Sequence, residues 1–467
     1  MPMTRKPSLL IILILLALPC SAVVYAGPKD GSVHEYGLNN GMKLIVKEDH
    51  RAPVVVSQIW YKVGSAYEHS GITGLSHVLE HMMFKGTRKV PAGEFSRIIS
   101  INGGRENAFT GQDYTAYFQQ LASDRLPISL RLEADRMRGL LLPEDEFTKE
   151  LKVVMEERRM RTEDDPQALL YEQFNAAAFV NNPYHHPIIG WMDDLENMQV
   201  SDLQAWYQHW YAPNNATLVI VGDVDPEATH TQVKRYFGRI KPVSSAAQKP
   251  RREIPQQGIR RVTLKAPAEL PYVILGYKTP VLKTATDKRD AYALDVIAGI
   301  LDGGNSARLA RDLIRGQKIA ASTSAGYDML AAQDSLLILD GTPATGVSIS
   351  ELENQLRQQV GQLRDHPVTA EELARVKAQV VAADIYERDS VFYQAMKIGI
   401  LESTGQSWRL LEDYVDNIRA VTAEQVQQVA RKYLNDDQLT VATLEPLPIN
   451  ADQVVPQGHS HGAAYVH

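Results

Sequence analysis

Cysteine is almost missing: 467 residues contain one, Cys20. It falls inside a stretch that reads as an export leader, so the mature chain is expected to have none. That excludes a disulfide framework and every thiolate metal site, leaving His, Glu and Asp as metal donors. Excess positive charge is missing too. The formal net charge is −7, no stripe of lysine and arginine stands out, and nucleic acid is excluded as a partner. Long apolar runs are limited to Leu9 to Leu18, shorter than the roughly 20 residues of a membrane span. Arg5 and Lys6 precede that run, and Val24-Tyr25-Ala26 offers small-residue cleavage before Gly27. Residues 1–26 are therefore read as a cleaved signal peptide, with the bacterial periplasm as destination; an uncleaved anchor is the weaker alternative. Pro19 ahead of Cys20 does not suit a lipidation site.

What is present is ordinary for a globular chain, 44% hydrophobic and 22% charged. The length exceeds one core, so two or more domains are expected. A duplication is visible. Leu195-Glu196-Asn197-Met198, Tyr211-Ala212-Pro213-Asn214-Asn215 and Thr217-Leu218-Val219-Ile220 find counterparts about 220 residues later. Those are Val415-Asp416-Asn417-Ile418, Tyr433-Leu434-Asn435-Asp436-Asp437 and Leu439-Thr440-Val441-Ala442. A period this long means duplicated domains, not a solenoid. The halves are placed at 31–243 and 259–450, joined by a linker at 244–258 whose Ser, Gln, Lys, Arg and Pro read as exposed. The tail, 451–467, carries His459, His461 and His467 and is read as disordered. Short β-rich runs beside long helical patterns predict an α+β fold: two homologous domains, each an antiparallel sheet with helices packed on one face.

The run His77-Val78-Leu79-Glu80-His81 carries the most chemistry. Thr73-Gly74 before it and Gly86 after it predict a helix from Leu75 to Phe84. Histidines four apart share a helix face, so both imidazoles can close on one ion. Glu80 is rotated slightly from that face and can reach a water on the metal without being a ligand. Leu75, Val78, Leu79, Met82 and Met83 make the helix apolar nearly all round, hence buried. Buried imidazoles and a carboxylate are costly unless satisfied, and a metal satisfies them. The plain alternative is a pair of hydrogen-bonded core histidines. The matching helix of the second half, near Leu294 to Asp302, has neither His nor Glu.

A catalytic zinc typically takes three protein ligands. The best donor is a helix from Glu144 to Arg161 with Phe147, Leu151 and Val154 as its apolar stripe. Glu150 and Glu157 lie seven apart on one side of it. Periodicity does not separate Glu157 from Glu156, and pairing with Lys149, Lys152, Arg158 and Arg159 as surface charge is the competing reading.

This set of residues resembles the inverted-motif zinc peptidases, the pitrilysin, insulinase and mitochondrial processing peptidase family. The resemblance runs through Gly74-Leu75-Ser76, Phe84-Lys85-Gly86-Thr87, Asn107-Ala108-Phe109-Thr110 and Val153-Val154-Met155-Glu156-Glu157 to Tyr211-Ala212-Pro213-Asn214-Asn215. It implies one zinc per chain held by His77, His81 and Glu157, with Glu80 as general base and Glu150 orienting a ligand histidine. It also implies two domains enclosing a chamber, and peptide substrates added as a strand along Asn107, Ala108, Phe109 and Thr110. The implied activity is zinc-dependent endopeptidase cleavage of peptides or unfolded segments. The alternative is a non-catalytic peptide-binding or assembly subunit.

One departure stands out. Many members carry an Arg and a Tyr, seven apart, in the second half. The matching positions here are Ile314 and Ala321, with Arg315 adjacent. An oxyanion donor can be worth about 10²–10³ in rate, so a dimer with a related subunit that supplies the pair is expected.

Overall fold

β-Branched and apolar runs become strands, as their fit to a pleated, half-buried surface favours. The computed structural model describes residues 31–244, 249 and 251–449. The expected leader at 1–26 and the tail at 451–467 lie outside the described residues. The strands are β1 (Val33–Gly37), β2 (Lys43–Glu48), β3 (Val54–Tyr61), β4 (Arg105–Thr110), β5 (Thr115–Ala122) and β6 (Ala216–Gly222). The second half adds β7 (Arg260–Pro267), β8 (Tyr272–Thr279), β9 (Ala320–Tyr327), β10 (Ser335–Pro343) and β11 (Leu439–Leu447). They form a six-stranded sheet, β1-β2-β6-β3-β5-β4, and a five-stranded one, β7-β11-β8-β10-β9.

The duplication is explicit in this order. From β2 onward the first sheet has the pattern of the second, with β4 and β9 on matching edges. Neither sheet is purely antiparallel. β2 runs parallel to β6 and β7 parallel to β11, because the last strand of each half returns beside an early one, β2 in the first half and β7 in the second. Each sheet buries one face under helices of its own half.

The opposite faces are covered by exchange. Helix Pro166–Ala178 of the first half lies on β7, β8 and β11, where Leu170 and Phe174 pack with Ile274, Leu336, Ala442 and Leu444. Helix Val391–Ser403 of the second half lies on β3 and β6, where Ala395, Met396 and Ile398 meet Val56, Trp60, Phe109 and Val219. Glycine permits both close approaches. A Cβ at Gly276 would sit 2.4 Å from the Phe174 ring, and one at Gly399 would sit 2.0 Å from the Trp60 ring. Burying an aromatic of that size is worth roughly 4–6 kcal/mol before entropic losses. The halves are packed as one body.

Two polar junctions reinforce the exchange. Within residues 244–258, read above as exposed linker, Glu253 has its side chain 6% exposed. Its carboxylate accepts from the N–H groups of Val180, Asn181 and Asn182 and from Lys278 Nζ at 2.8 Å. The second junction is Asp113, in the β4–β5 turn. Its Oδ2 accepts from Tyr184 Oη at 2.5 Å and from the Ala332 N–H, across the halves, at 3.0 Å. Burial pushes the Asp113 carboxyl up to about 6, against the pull of those donors.

A raised carboxyl pKa means that folding penalises the ionised form. The penalty is absent below the ordinary value near 4, grows as pH rises to about 6, and is constant above. Asn at this position keeps an acceptor and removes the charge. Relative to the parent, Asp113→Asn is therefore expected to gain about 2 kcal/mol in stability between pH 4 and pH 7. Urea midpoints at the two pH values measure this, and a gap that does not change with pH contradicts it.

Candidate metal centre

The helix bearing the two histidines runs Leu75–Met82, two residues shorter than expected at its C-terminus. Beyond it, Phe84 N–H bonds His81 O and Lys85 N–H bonds Met82 O, so the chain tightens before turning at Gly86 (φ 93°). Its start has no local side-chain cap. The Glu68 carboxylate instead accepts from the N–H groups of Gly74 and Ser76, each at 2.7 Å, taking up two donors that a helix start leaves without partners. Burial pushes Glu68 up to about 7 despite those donors. Asp194 holds the approach by accepting from Gly71 N, Thr73 N and Thr73 Oγ1.

The glutamate helix is α-helical over Glu144–Arg158 and continues as a π turn, Arg159–Glu163. Arg158 anchors the junction. Its buried guanidinium donates to both Glu172 oxygens at 2.7 and 2.9 Å and to Gly190 O at 2.8 Å.

These two helices bring together His77, His81 and Glu157. One donor atom from each lies within 4.8 Å of the others, and no other such group of His, Cys, Asp or Glu occurs among the described residues. Glu157 Oε2 is 3.5 Å from His81 Nε2 and 3.9 Å from His77 Nε2. A tetrahedron with bonds of about 2.1 Å has edges of roughly 3.4 Å, so small rotamer adjustments close the set. Two imidazole nitrogens and a carboxylate oxygen are donors that zinc accepts, and the residues present fit that ion. Glu156 does not share the site. It is exposed and pairs with Arg159 at 3.1 Å, whereas Glu157 is the one that faces the two histidines.

A ring of charges backs the donors. Glu150 Oε2 lies 3.4 Å from His81 Nδ1, the nitrogen facing away from Glu157, and Lys85 holds the other Glu150 oxygen. Arg161, on the π turn, meets Glu157 Oε1 at 2.8 Å. Burial alone would lower the His81 pKa; Glu157, Glu80 and Glu150 raise it above the ordinary value. Glu80 is 2% exposed and its Oε2 accepts from Thr110 Oγ1 at 2.5 Å.

Asn107, Ala108, Phe109 and Thr110 lie on β4, the edge strand of the first sheet. They pair with Phe118, Tyr117, Ala116 and Thr115 of β5 on one side only. Alternation splits them. Ala108 joins the core under the histidine helix and Phe109 packs on the opposite face with Trp60. Asn107 Oδ1 accepts from the Ala108 N–H. In the second half Ile314 packs against the core, Ala321 lies on β9, and Arg315 donates to Asn305 O. Sequence reasoning missed Glu68, Arg161 and the hydroxyl of Thr110. Only Thr110 had been singled out, and for its strand.

Two family models match the chain. Residues 43–191 match the insulinase family (peptidase family M16), and residues 197–380 match the M16 inactive domain. Zinc protease PqqE of Helicobacter pylori is 33% identical over 437 residues, covering 90% of this chain and 93% of that one. YmxG of Bacillus subtilis, named an uncharacterized zinc protease, is 25% identical over 87% of this chain and 96% of its own. Among solved structures, a protease from Helicobacter pylori superposes with TM-score 0.84 at 30% identity, covering 89% of this chain and all of that one. The periplasmic protease PqqL of Escherichia coli superposes with TM-score 0.75 at 18% identity, covering 93% of this chain but 51% of that one.

The geometry separates the two adjacent glutamates experimentally. Glu157→Ala is expected to reduce tightly held zinc from about one per chain to near zero, since two imidazoles alone lack the third ligand. Glu156→Ala is expected to leave it unchanged. Metal analysis after gel filtration reads both, and the opposite assignment follows if Glu156→Ala is the variant that empties.

Proposed function

The chain belongs to the M16 (insulinase) peptidase family, and from that membership and the geometry of the centre we propose that it is a zinc-dependent endopeptidase. Its substrates are peptides or unfolded segments able to lie extended along β4. The relatives named above are called zinc proteases, and the observation that carries the reading is local. His77, His81 and Glu157 offer converging donors while Glu80 is held beside them by Thr110.

In this reading His77 Nε2, His81 Nε2 and Glu157 Oε2 hold one zinc. When bound, the ion supplies Lewis acidity, polarising a peptide carbonyl and lowering the pKa of water at its open position to about 7. Glu80 accepts the water's proton at its carboxylate and returns it to the leaving amine. Glu150 orients His81 through Nδ1, and Lys85 holds Glu150 in turn. Strand β4 has β5 on one side, and its outer edge offers backbone N–H and C=O groups that an extended peptide can take up.

Location and partners extend the proposal. The apolar run and small-residue site at 1–26 support export to the periplasm, where PqqL, a structural relative by its name, works. No helix among the described residues is long and apolar enough to cross a membrane. The chain spans about half of PqqL. With Ile314 and Ala321 where an Arg and a Tyr are expected, we propose that a second chain of related fold closes the chamber and supplies them. The match to an inactive domain falls mainly on the second half, where no metal group occurs among the described residues, and does not speak against chemistry in the first.

Glu80→Gln tests the reading. It is expected to retain one zinc per chain while cleavage of an unstructured peptide falls by about 10²–10⁴. A Gln variant as active as the parent removes Glu80 from the chemistry. Cleavage that survives full removal of zinc by a chelator removes the metal.

A further inference from the structure

We infer that Thr110 is the positioning residue for the Glu80 carboxylate, and that it couples the base to the strand on which the peptide docks. This rests on the reading of Glu80 as general base. The Thr110 hydroxyl donates to Glu80 Oε2 at 2.5 Å, with the two residues 4% and 2% exposed. A hydroxyl has one proton to give, so its donor capacity is spent here. The bond fixes the plane of the carboxylate and therefore the direction of its second oxygen. Glutamate has three side-chain torsions, whereas β-branched threonine is stiff at its one. The strand thus lends its order to the base.

The end of that strand is itself anchored. Gly111 O accepts from the Ser65 N–H at 3.2 Å, and Gln112 O from the Ala66 N–H at 2.8 Å. A Cβ at Gly64 would sit 2.2 Å from the Gly111 oxygen, so only glycine allows this approach. A few residues on, Glu68 grips the start of helix Leu75–Met82. The contacts close a ring: from the helix through Glu68, the Ser65–Tyr67 turn, Gly111 and Thr110, back to Glu80 on the same helix. β4 has a sheet partner on one side only. A peptide pairing with the other side stiffens the strand from which Thr110 projects, so docking improves the placement of the base. Such a residue acts on kcat and hardly on KM.

The test uses the full-length, zinc-loaded protein and an internally quenched peptide that the parent cleaves. Thr110→Val keeps the shape and removes the hydroxyl. It is expected to lower kcat by about 10- to 100-fold with KM within about twofold and zinc content unchanged. Thr110→Ser restores the donor and is expected to stay within about threefold of the parent. If Thr110→Val does not fold, Thr110→Ala replaces it with the same expectation. An independent reading comes from zinc-free protein. Thr110→Val should lower the melting temperature by roughly 2 °C, an effect that vanishes in a Glu80→Met background.

A rise in KM at unchanged kcat, a serine variant as slow as valine, or equal melting shifts in both backgrounds overturns the inference. Its failure is distinguishable from failure of the function itself. A fully active Glu80→Gln sinks the base assignment, whereas a dead Glu80→Gln beside a Thr110→Val with parental kcat sinks only the positioning role.

Discussion

The structure depends on keeping two imidazoles and several carboxylates dry and close together. Removing a charged group from water costs several kcal/mol unless partners replace the water. His77 and Glu80 are nearly inaccessible, and Glu157 is mostly covered. Each needs a partner at a set place, and the chain provides these from a distance. Asp194 and Glu68 fix where one helix starts. The buried Arg158–Glu172 pair fixes where the other turns. The convergence on one point is thus a result of anchoring both helix ends, and the donors themselves contribute only the last few ångströms.

The same demand explains why the second half cannot be regarded as an appendage. β3, β5 and β4 carry the strand that holds Thr110, and the back of that sheet is buried by helix Val391–Ser403. Without that helix Trp60, Phe109 and Phe118 would face water, and the edge strand would lose its support. In return, helix Pro166–Ala178, which follows the glutamate helix directly, is buried on the second sheet. Arg158 joins those two elements through Glu172. The half with no metal group among its described residues therefore holds the glutamate helix of the other half in register. Duplication followed by exchange of one helix per half gives a rigid frame, in which one copy keeps the donors and the other keeps the geometry.

What could be read from the chain followed from periodicity and local chemistry. Spacing of four put His77 and His81 on one face, and spacing of seven put Glu150 and Glu157 along one side. Both are properties of a single helix, and both hold in the structure. The repeat Tyr211 to Ile220 against Tyr433 to Ala442 marked matching strands, and the sheets bear the same order. Periodicity does not say which of Glu156 and Glu157 faces the histidines; that depends on tertiary contact, and in the structure it is Glu157 that does. The exchanged helices and the parallel strand pairs were invisible for the same reason. They depend on which distant surface an apolar stripe meets, and no local pattern encodes that. Glu68 was missed because a cap six residues from the helix start leaves no capping-box signature.

The engagement of the cations bears on how charge would be handled in the proposed hydrolysis. Lys85 is engaged by Glu150 and Glu146, and Arg161 by Glu157. Arg158 is consumed by Glu172 and Gly190. Arg315, the nearest candidate in sequence for the family's arginine, donates to Asn305 within its own half. Every one of these cations is held by an oxygen acceptor of this chain, and moving one to a developing oxyanion would strip a carboxylate or carbonyl of its partner. For Lys85 and Arg158, whose side chains are mostly covered, that exchange costs about as much as the new contact returns. A donor brought by another chain carries no such debt to this one. The proposed second subunit rests on the two substituted positions, and the way Lys85 and Arg158 are held supports it.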